Sequence, residues 1–264
     1  MKVKFLPFGI MAVAVLLLTS CQKQSKAEQC HFRTLTLKKN IPLDSGKEPA
    51  YHITVMMDEM TAPEMTARRI NSEIIQQTFN YNLSSITTAI DSFYRAQTRE
   101  YKEKLFDLYQ ADIQNGVNAN WYNYRFNIKT SHSTGFQDCI SYEIHTSRYE
   151  GGAHEYNQTF YLNFNPENGE KILLNNIFTP NYQSELTRLL QDELVRQFNS
   201  KDIKELSEKG ILNTTDFYIT SNFKLGKDSM EFLYNVYEIA PYDIGPIRIR
   251  LSYKQLSSLL TTKN

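Results

Sequence analysis

Five histidines, His31, His52, His132, His145 and His154, are the side chains in this sequence best suited to move a proton or hold a metal near neutral pH. None of them falls in HExxH or another strong metal-ligand spacing. His145 and His154 flank the dipeptide Gly151-Gly152, and a chain reversal near Glu150-Gly151 would bring them together diagonally, with Glu143 on the face of His145. Two histidines and a carboxylate make a minimal ligand set, but a third anchored ligand is missing and no metal is expected. No serine sits in a GxSxG elbow, and neither Cys30 nor Cys139 has a paired base in its local sequence. The carboxylate pairs Asp58-Glu59 and Asp192-Glu193 read as solvated charges at a strand end and on an exposed helical face. Phosphate loops and dinucleotide fingerprints are absent. The expectation is a non-catalytic protein without a cofactor.

What the sequence offers instead is a turn. Tyr149, Gly151, Gly152, Ala153 and His154 lie between two runs of alternating polar and apolar residues, and they form the candidate binding turn. Gly151 and Gly152 supply positive φ or a bulge without a Cβ penalty. Upstream, Tyr122, Tyr124, Phe126 and Ile128 share one face of a strand, and Ile140, Tyr142 and Ile144 share one face of the next. Tyr156, Phe160, Leu162 and Phe164 follow on a third, opposite Asn157, Thr159 and Asn163. Period-two alternation with one polar face predicts an antiparallel sheet covered on one side.

The covering elements are also legible. Phe32 to Lys38 and Tyr51 to Met57 read as opening strands. Pro63 starts a helix with Met65, Ile70, Ile74 and Phe79 on its apolar stripe. A longer helix carries Ile86, Ile90, Phe93, Tyr101, Leu105 and Leu108. In the second half an amphipathic helix with Leu186, Leu189, Leu190, Leu194 and Phe198 precedes strands at 217–223, 230–236 and 247–253, and a last helix follows. The fold class is α+β: an antiparallel β-sheet packed on one side by amphipathic helices, in two sequential sub-domains, 31–150 and 151–264.

Seventeen tyrosines and one tryptophan stand out in the composition. Tyr and Trp join large contact area to a polar tip, which suits protein surfaces and sugars alike. Most of these tyrosines fall on covered faces and build core. Trp121, Tyr149 and Tyr161 fall outside that alternation and are the candidate surface aromatics. Equal numbers of basic and acidic residues, 29 each, leave no electrostatic footprint for nucleic acid.

The N-terminus carries an address. Lys2 and Lys4 precede an apolar run from Phe5 to Leu18, which as a helix would reach roughly 21 Å, short of a hydrocarbon core of about 30 Å. The run ends in Leu18-Thr19-Ser20-Cys21, which resembles the lipobox of bacterial lipoproteins. Residues 1–20 are then a signal peptide. Cys21 becomes the lipidated first residue, holding the protein to a membrane through its acyl chains, and 21–30 a polar tether. That tether lacks an acidic export run, so the expected location is the periplasmic face of the outer membrane. An oxidising compartment permits a Cys30–Cys139 disulfide, and the spacing is equally compatible with two free thiols.

Tyr149 with Gly151-Gly152-Ala153-His154, then Asn163-Phe164, Gly169 and Ile177-Phe178, resemble a paired-domain family of bacterial envelope proteins. So do Tyr237-Glu238-Ile239-Ala240-Pro241-Tyr242 and Gly245-Pro246. This RsiV-like and PdaC-like family includes the extracytoplasmic domain of the lysozyme-sensing anti-sigma-V factor and the non-catalytic region of a peptidoglycan deacetylase. The resemblance spans about Cys30 to Leu260. It implies an α+β binding domain of the cell envelope, recognising a protein such as a muramidase or another envelope factor, with peptidoglycan as the alternative ligand.

Overall fold

A computed structural model describes residues 25–46, 48–212 and 215–261, so Cys21 and the signal segment lie outside the described residues. The first unit is a five-stranded sheet in the order β1 (His31–Pro42), β2 (Ala50–Ala62), β3 (Tyr124–Thr134), β4 (Ile140–Glu150), β5 (Tyr156–Phe164). Three of its pairings are antiparallel hairpins, but β2 and β3 run parallel. The antiparallel run expected from the alternation is β3–β4–β5, and the sheet departs from an antiparallel arrangement only where β2 meets β3. Two helices separate β2 from β3, and a crossover of that length returns the chain in the same direction.

Those helices are α1 (Glu64–Phe79) and α2 (Ile86–Gln114). Asn80 ends α1 in the left-handed region at φ 56°, and its N–H bonds back to Gln76 O. Ser85 caps α2 by accepting the Thr88 N–H. Ile70, Ile74, Ile86, Ile90 and Phe93 pack on the sheet beside Tyr51, Ile53, Val55 and Tyr142. Each such aliphatic side chain stabilises the fold by about 1.5–3 kcal/mol. The expected stripes overreach at two positions, since Met65 is 84 % and Leu108 48 % exposed.

After β5 the chain forms α3 (Leu174–Ile177), α4 (Gln183–Gln197) and α5 (Ile203–Glu208), then a second, antiparallel sheet of β6 (Phe223–Leu225), β7 (Ser229–Tyr234) and β8 (Ile247–Ser252). Leu186, Leu190 and Leu194 of α4 cover Phe232, Ile249 and Leu251 in a second core. The strand expected at 217–223 is almost wholly irregular, and the expected C-terminal helix is a series of turns. Position 150/151, the anticipated division between sub-domains, joins β4 to β5 within one sheet, and the change of sheet follows Phe164.

The two sheets meet through side-chain amides. Asn222 Oδ1 accepts from Tyr161 N at 2.8 Å, and Asn235 Oδ1 accepts from Thr159 N at 2.8 Å. Both amide groups donate to Thr159 O, at 2.8 and 3.1 Å. Asn163 Oδ1 accepts from Leu225 N while its Nδ2 donates to Phe223 O. The outer edge of β5 is thus satisfied by asparagines rather than by another strand, which protects an otherwise open ladder. Thr159 and Asn163, read from the sequence as a polar outer face, are 5 % and 2 % exposed.

Candidate functional site

The turn after β4 is built on one glycine, not two. Gly151 has φ +77°, and a Cβ there would press on the backbone carbonyl of Trp121. Gly152 adopts no positive φ and has open space around its Cβ direction. Trp121 lies in the short 3-10 turn that precedes β3, with its ring stacked on buried Tyr122 at 3.7 Å. Its backbone fills the space Gly151 leaves.

Arg125 of β3 sits opposite Tyr149 of β4, with its guanidinium 5.1 Å from the centre of the Tyr149 ring. The same guanidinium pairs with Glu155 at 3.0 Å, and Ser147 Oγ donates to the other Glu155 oxygen at 3.1 Å. Trp121 and Tyr149 are therefore half-buried and engaged with neighbours. Tyr161 is not a surface aromatic at all. It is 7 % exposed at the sheet junction, and its hydroxyl donates to Glu231 at 2.6 Å. Burial, reinforced by that carboxylate, pushes the Tyr161 hydroxyl well above the ordinary tyrosine range.

His154 and Ala153 are exposed at the tip. The His154 ring lies flat on Tyr242, centroids 3.7 Å apart and planes 15° apart. Tyr237 Oη is 3.3 Å from His154 Nε2, and the Tyr237 ring stands 5.7 Å from Tyr242 and 6.5 Å from Tyr156. Tyr242 Oη donates to Glu155 O at 2.8 Å. The two stretches singled out in the sequence, 149–154 and 237–242, thus close on one another into an aromatic platform. Tyr237 holds φ +70° and is 56 % exposed. A left-handed backbone at a bulky exposed side chain costs of the order of 1–3 kcal/mol, and such strain concentrates at functional sites.

Among the described residues, His154 meets the Tyr242 ring, the Tyr237 hydroxyl on Nε2 and the Glu155 backbone carbonyl on Nδ1. His145 bonds Thr159 Oγ1 instead of approaching His154. Within the described residues no group of three or more His, Cys, Asp or Glu side chains is placed to hold a metal. Cys30 and Cys139 are both free thiols, each with its thiol pushed up chiefly by burial. Cys30 Sγ lies near the Lys26 and Pro166 carbonyls and Cys139 Sγ near Ser141 Oγ.

One constellation escaped the sequence. Asp58, expected as a solvated charge, binds His132 Nδ1 at 2.8 Å and Thr34 Oγ1 at 2.7 Å, while Phe32 stacks on the imidazole at 3.8 Å. Only the registers of β1, β2 and β3 place these residues side by side, and local spacing carries no trace of it.

Residues 175–254 match a family model described as "Protein of unknown function (DUF3298)". That stretch contains the 237–242 side of the platform and β6–β8, but not the 149–156 side. A solved member of the DUF3298 family from Bacteroides fragilis superposes with a TM-score of 0.81 at 27 % identity, over 90 % of this chain and 96 % of that one. A DUF3298 family protein from Pseudomonas aeruginosa shares the fold, with a TM-score of 0.60 at 13 % identity over 89 % and 96 % of the two chains. No curated protein matches the chain. Within the described residues no helix is long and apolar enough to cross a membrane.

Proposed function

We propose that the protein is a non-catalytic binding module of the bacterial cell envelope, anchored through lipidated Cys21 on the periplasmic face of the outer membrane. In this reading it is an RsiV-like and PdaC-like module that recognises a protein partner, a muramidase or another envelope factor. The observation that carries the proposal is Tyr237, held exposed at φ +70° on a stacked support of Tyr242 and His154. Exposed tyrosines whose rings are fixed before binding lose little entropy in an interface and are enriched among its dominant contacts. The lipobox supports an envelope module, and the DUF3298 match names neither a role nor a ligand.

The test is titration of the mature chain with a purified muramidase, beside cross-linking in envelope extract. Tyr237→Ala should weaken capture at least about tenfold, the loss of one dominant contact, with an unchanged melting temperature. Hydrolysis or deacetylation of peptidoglycan by the mature chain that disappears in His154→Ala would overturn the reading in favour of an enzyme.

A further inference from the structure

The helices do not cover the whole sheet. Along β4 and β5 an open hollow of about 340 Å³ remains between the sheet and the facing ends of α1 and α2, walled by the rings of Phe79, Phe126 and Tyr156. Gln77 and Phe160 also line a neighbouring hollow of about 700 Å³, which runs beside β5 to Leu173 and Tyr218. Volumes of this size are those of ligand clefts rather than packing defects. Leu173 and Tyr218 are 52 % and 42 % exposed at the far end.

We propose that this cleft, formed by the two adjacent hollows, binds a neutral, N-acetylated glycan strand. Phe126, Tyr156 and Phe160 in the lining are half-buried aromatic rings, of the kind the C–H side of a sugar ring packs against. Between them stand Gln77, Thr146 and Gln158, whose side chains have no hydrogen-bond partner among the described residues. Amides and hydroxyls both donate and accept, as sugar hydroxyls and acetamido groups do.

Charge and backbone argue against other occupants. Three charged residues reach the cleft, and each is already engaged. Arg148 faces Glu150 at 3.9 Å, Lys171 faces Glu73 at 3.6 Å, and Glu238 accepts the Asn235 N–H at 3.0 Å. A phosphorylated or uronic polymer would need a cluster of uncommitted cations, which the lining lacks. An extended peptide would need a free strand edge to pair with. Here Asn222 and Asn235 already occupy the Thr159 and Tyr161 backbone groups on the β5 edge.

The cleft adjoins the platform through Tyr156 and Glu238, but Tyr237 itself does not line it, so the two readings are tested separately. The experiment is calorimetric titration of the mature chain from Cys21, in detergent, with the β-1,4 pentamer of N-acetylglucosamine. The fully deacetylated pentamer and the glucose pentamer of the same linkage serve as comparisons. Saturable binding of the N-acetylated pentamer is expected, with both comparisons weaker by about tenfold or more, the equivalent of one or two lost polar contacts. The double variant Gln77→Ala, Gln158→Ala should weaken it about tenfold or more with an unchanged melting temperature, since neither side chain supports the fold. Tyr218→Ala removes an exposed ring from the lining and should weaken it too, while the backbone carbonyl that accepts from Tyr234 is kept. Tyr237→Ala should bind the pentamer like wild type while losing the protein partner. Absence of saturable heat with the N-acetylated pentamer, undiminished binding by the double variant, or equal affinity for the deacetylated pentamer would each overturn the proposal.

Discussion

Gly151 and Gly152 are adjacent and chemically identical, yet their alanine variants should behave differently. At Gly151 an alanine must hold φ +77°, a left-handed backbone that costs an L-residue about 1–2 kcal/mol. Its Cβ would also fall within 3.0 Å of the Trp121 carbonyl, closer than real Cβ atoms come, and the neighbour there is backbone rather than a flexible side-chain end. Relieving such overpacking typically costs about 1–3 kcal/mol. Together the terms give roughly 2–5 kcal/mol for Gly151→Ala. Gly152→Ala meets nothing within 4 Å and carries no positive φ, so it should stay within about 0.5 kcal/mol of wild type.

The assay is built into the site. Trp121 is the sole tryptophan in the chain, so its emission reports the backbone that an alanine at 151 would displace. For a chain of this size about 2–4 °C of melting temperature follows each kcal/mol, so fluorescence-detected melting of Gly151→Ala should fall by roughly 4–20 °C. Gly152→Ala should superimpose on wild type. Equal losses in the two variants, or an unchanged melt and emission spectrum in Gly151→Ala, would refute the assignment of the turn to Gly151 and its fit against Trp121.

Asn163→Leu should destabilise by about 2–5 kcal/mol in denaturant titration, because it strands the buried Leu225 N–H and Phe223 carbonyl at the sheet junction. His154→Ala removes one stacked partner from an exposed ring pair and should lower stability by about 0.5–1.5 kcal/mol at most, measured by the same titration. Tyr237→Gly should melt at or above the wild-type temperature while losing the protein partner, because glycine occupies φ +70° without strain. Alkaline pH should unfold the protein early. Burial raises the hydroxyls of Tyr51, Tyr142, Tyr161 and Tyr234 well above their ordinary value, so the folded state holds these protons longer than the unfolded chain. Their contribution is complete below the unfolded pKa near 10 and is lost as pH rises from there through the folded values, a window that melting curves between about pH 9 and 12 will show.

Period-two and helical spacing reveal most of the elements because each is a local consequence of burying one face. The face that a strand turns away from its helices is a different matter. Thr159 and Asn163 alternate with Phe160 and Leu162 as a solvent-facing strand would, and nothing nearby in the sequence announces that Asn222, Phe223 and Asn235 will cover them. Tyr161 was misplaced for the same reason, since Glu231, its hydroxyl's acceptor, lies 70 residues away. The parallel β2–β3 pair likewise depends on where the α1–α2 crossover sets the chain down, which alternation does not encode. The platform was half legible. Each of its two motifs is visible as a turn, but their meeting is not, with Tyr237 and His154 separated by 83 residues. What brings them together is the junction itself. Asn235, two residues before Tyr237, is clamped to Thr159, which lies four residues after Glu155, the acceptor of the Tyr242 hydroxyl. The buried amides that let a short second sheet replace the missing neighbour of β5 therefore also set the height of Tyr237 over His154. Stability of the junction and geometry of the aromatic platform are then a single property, and a change at Asn235 should disturb both together.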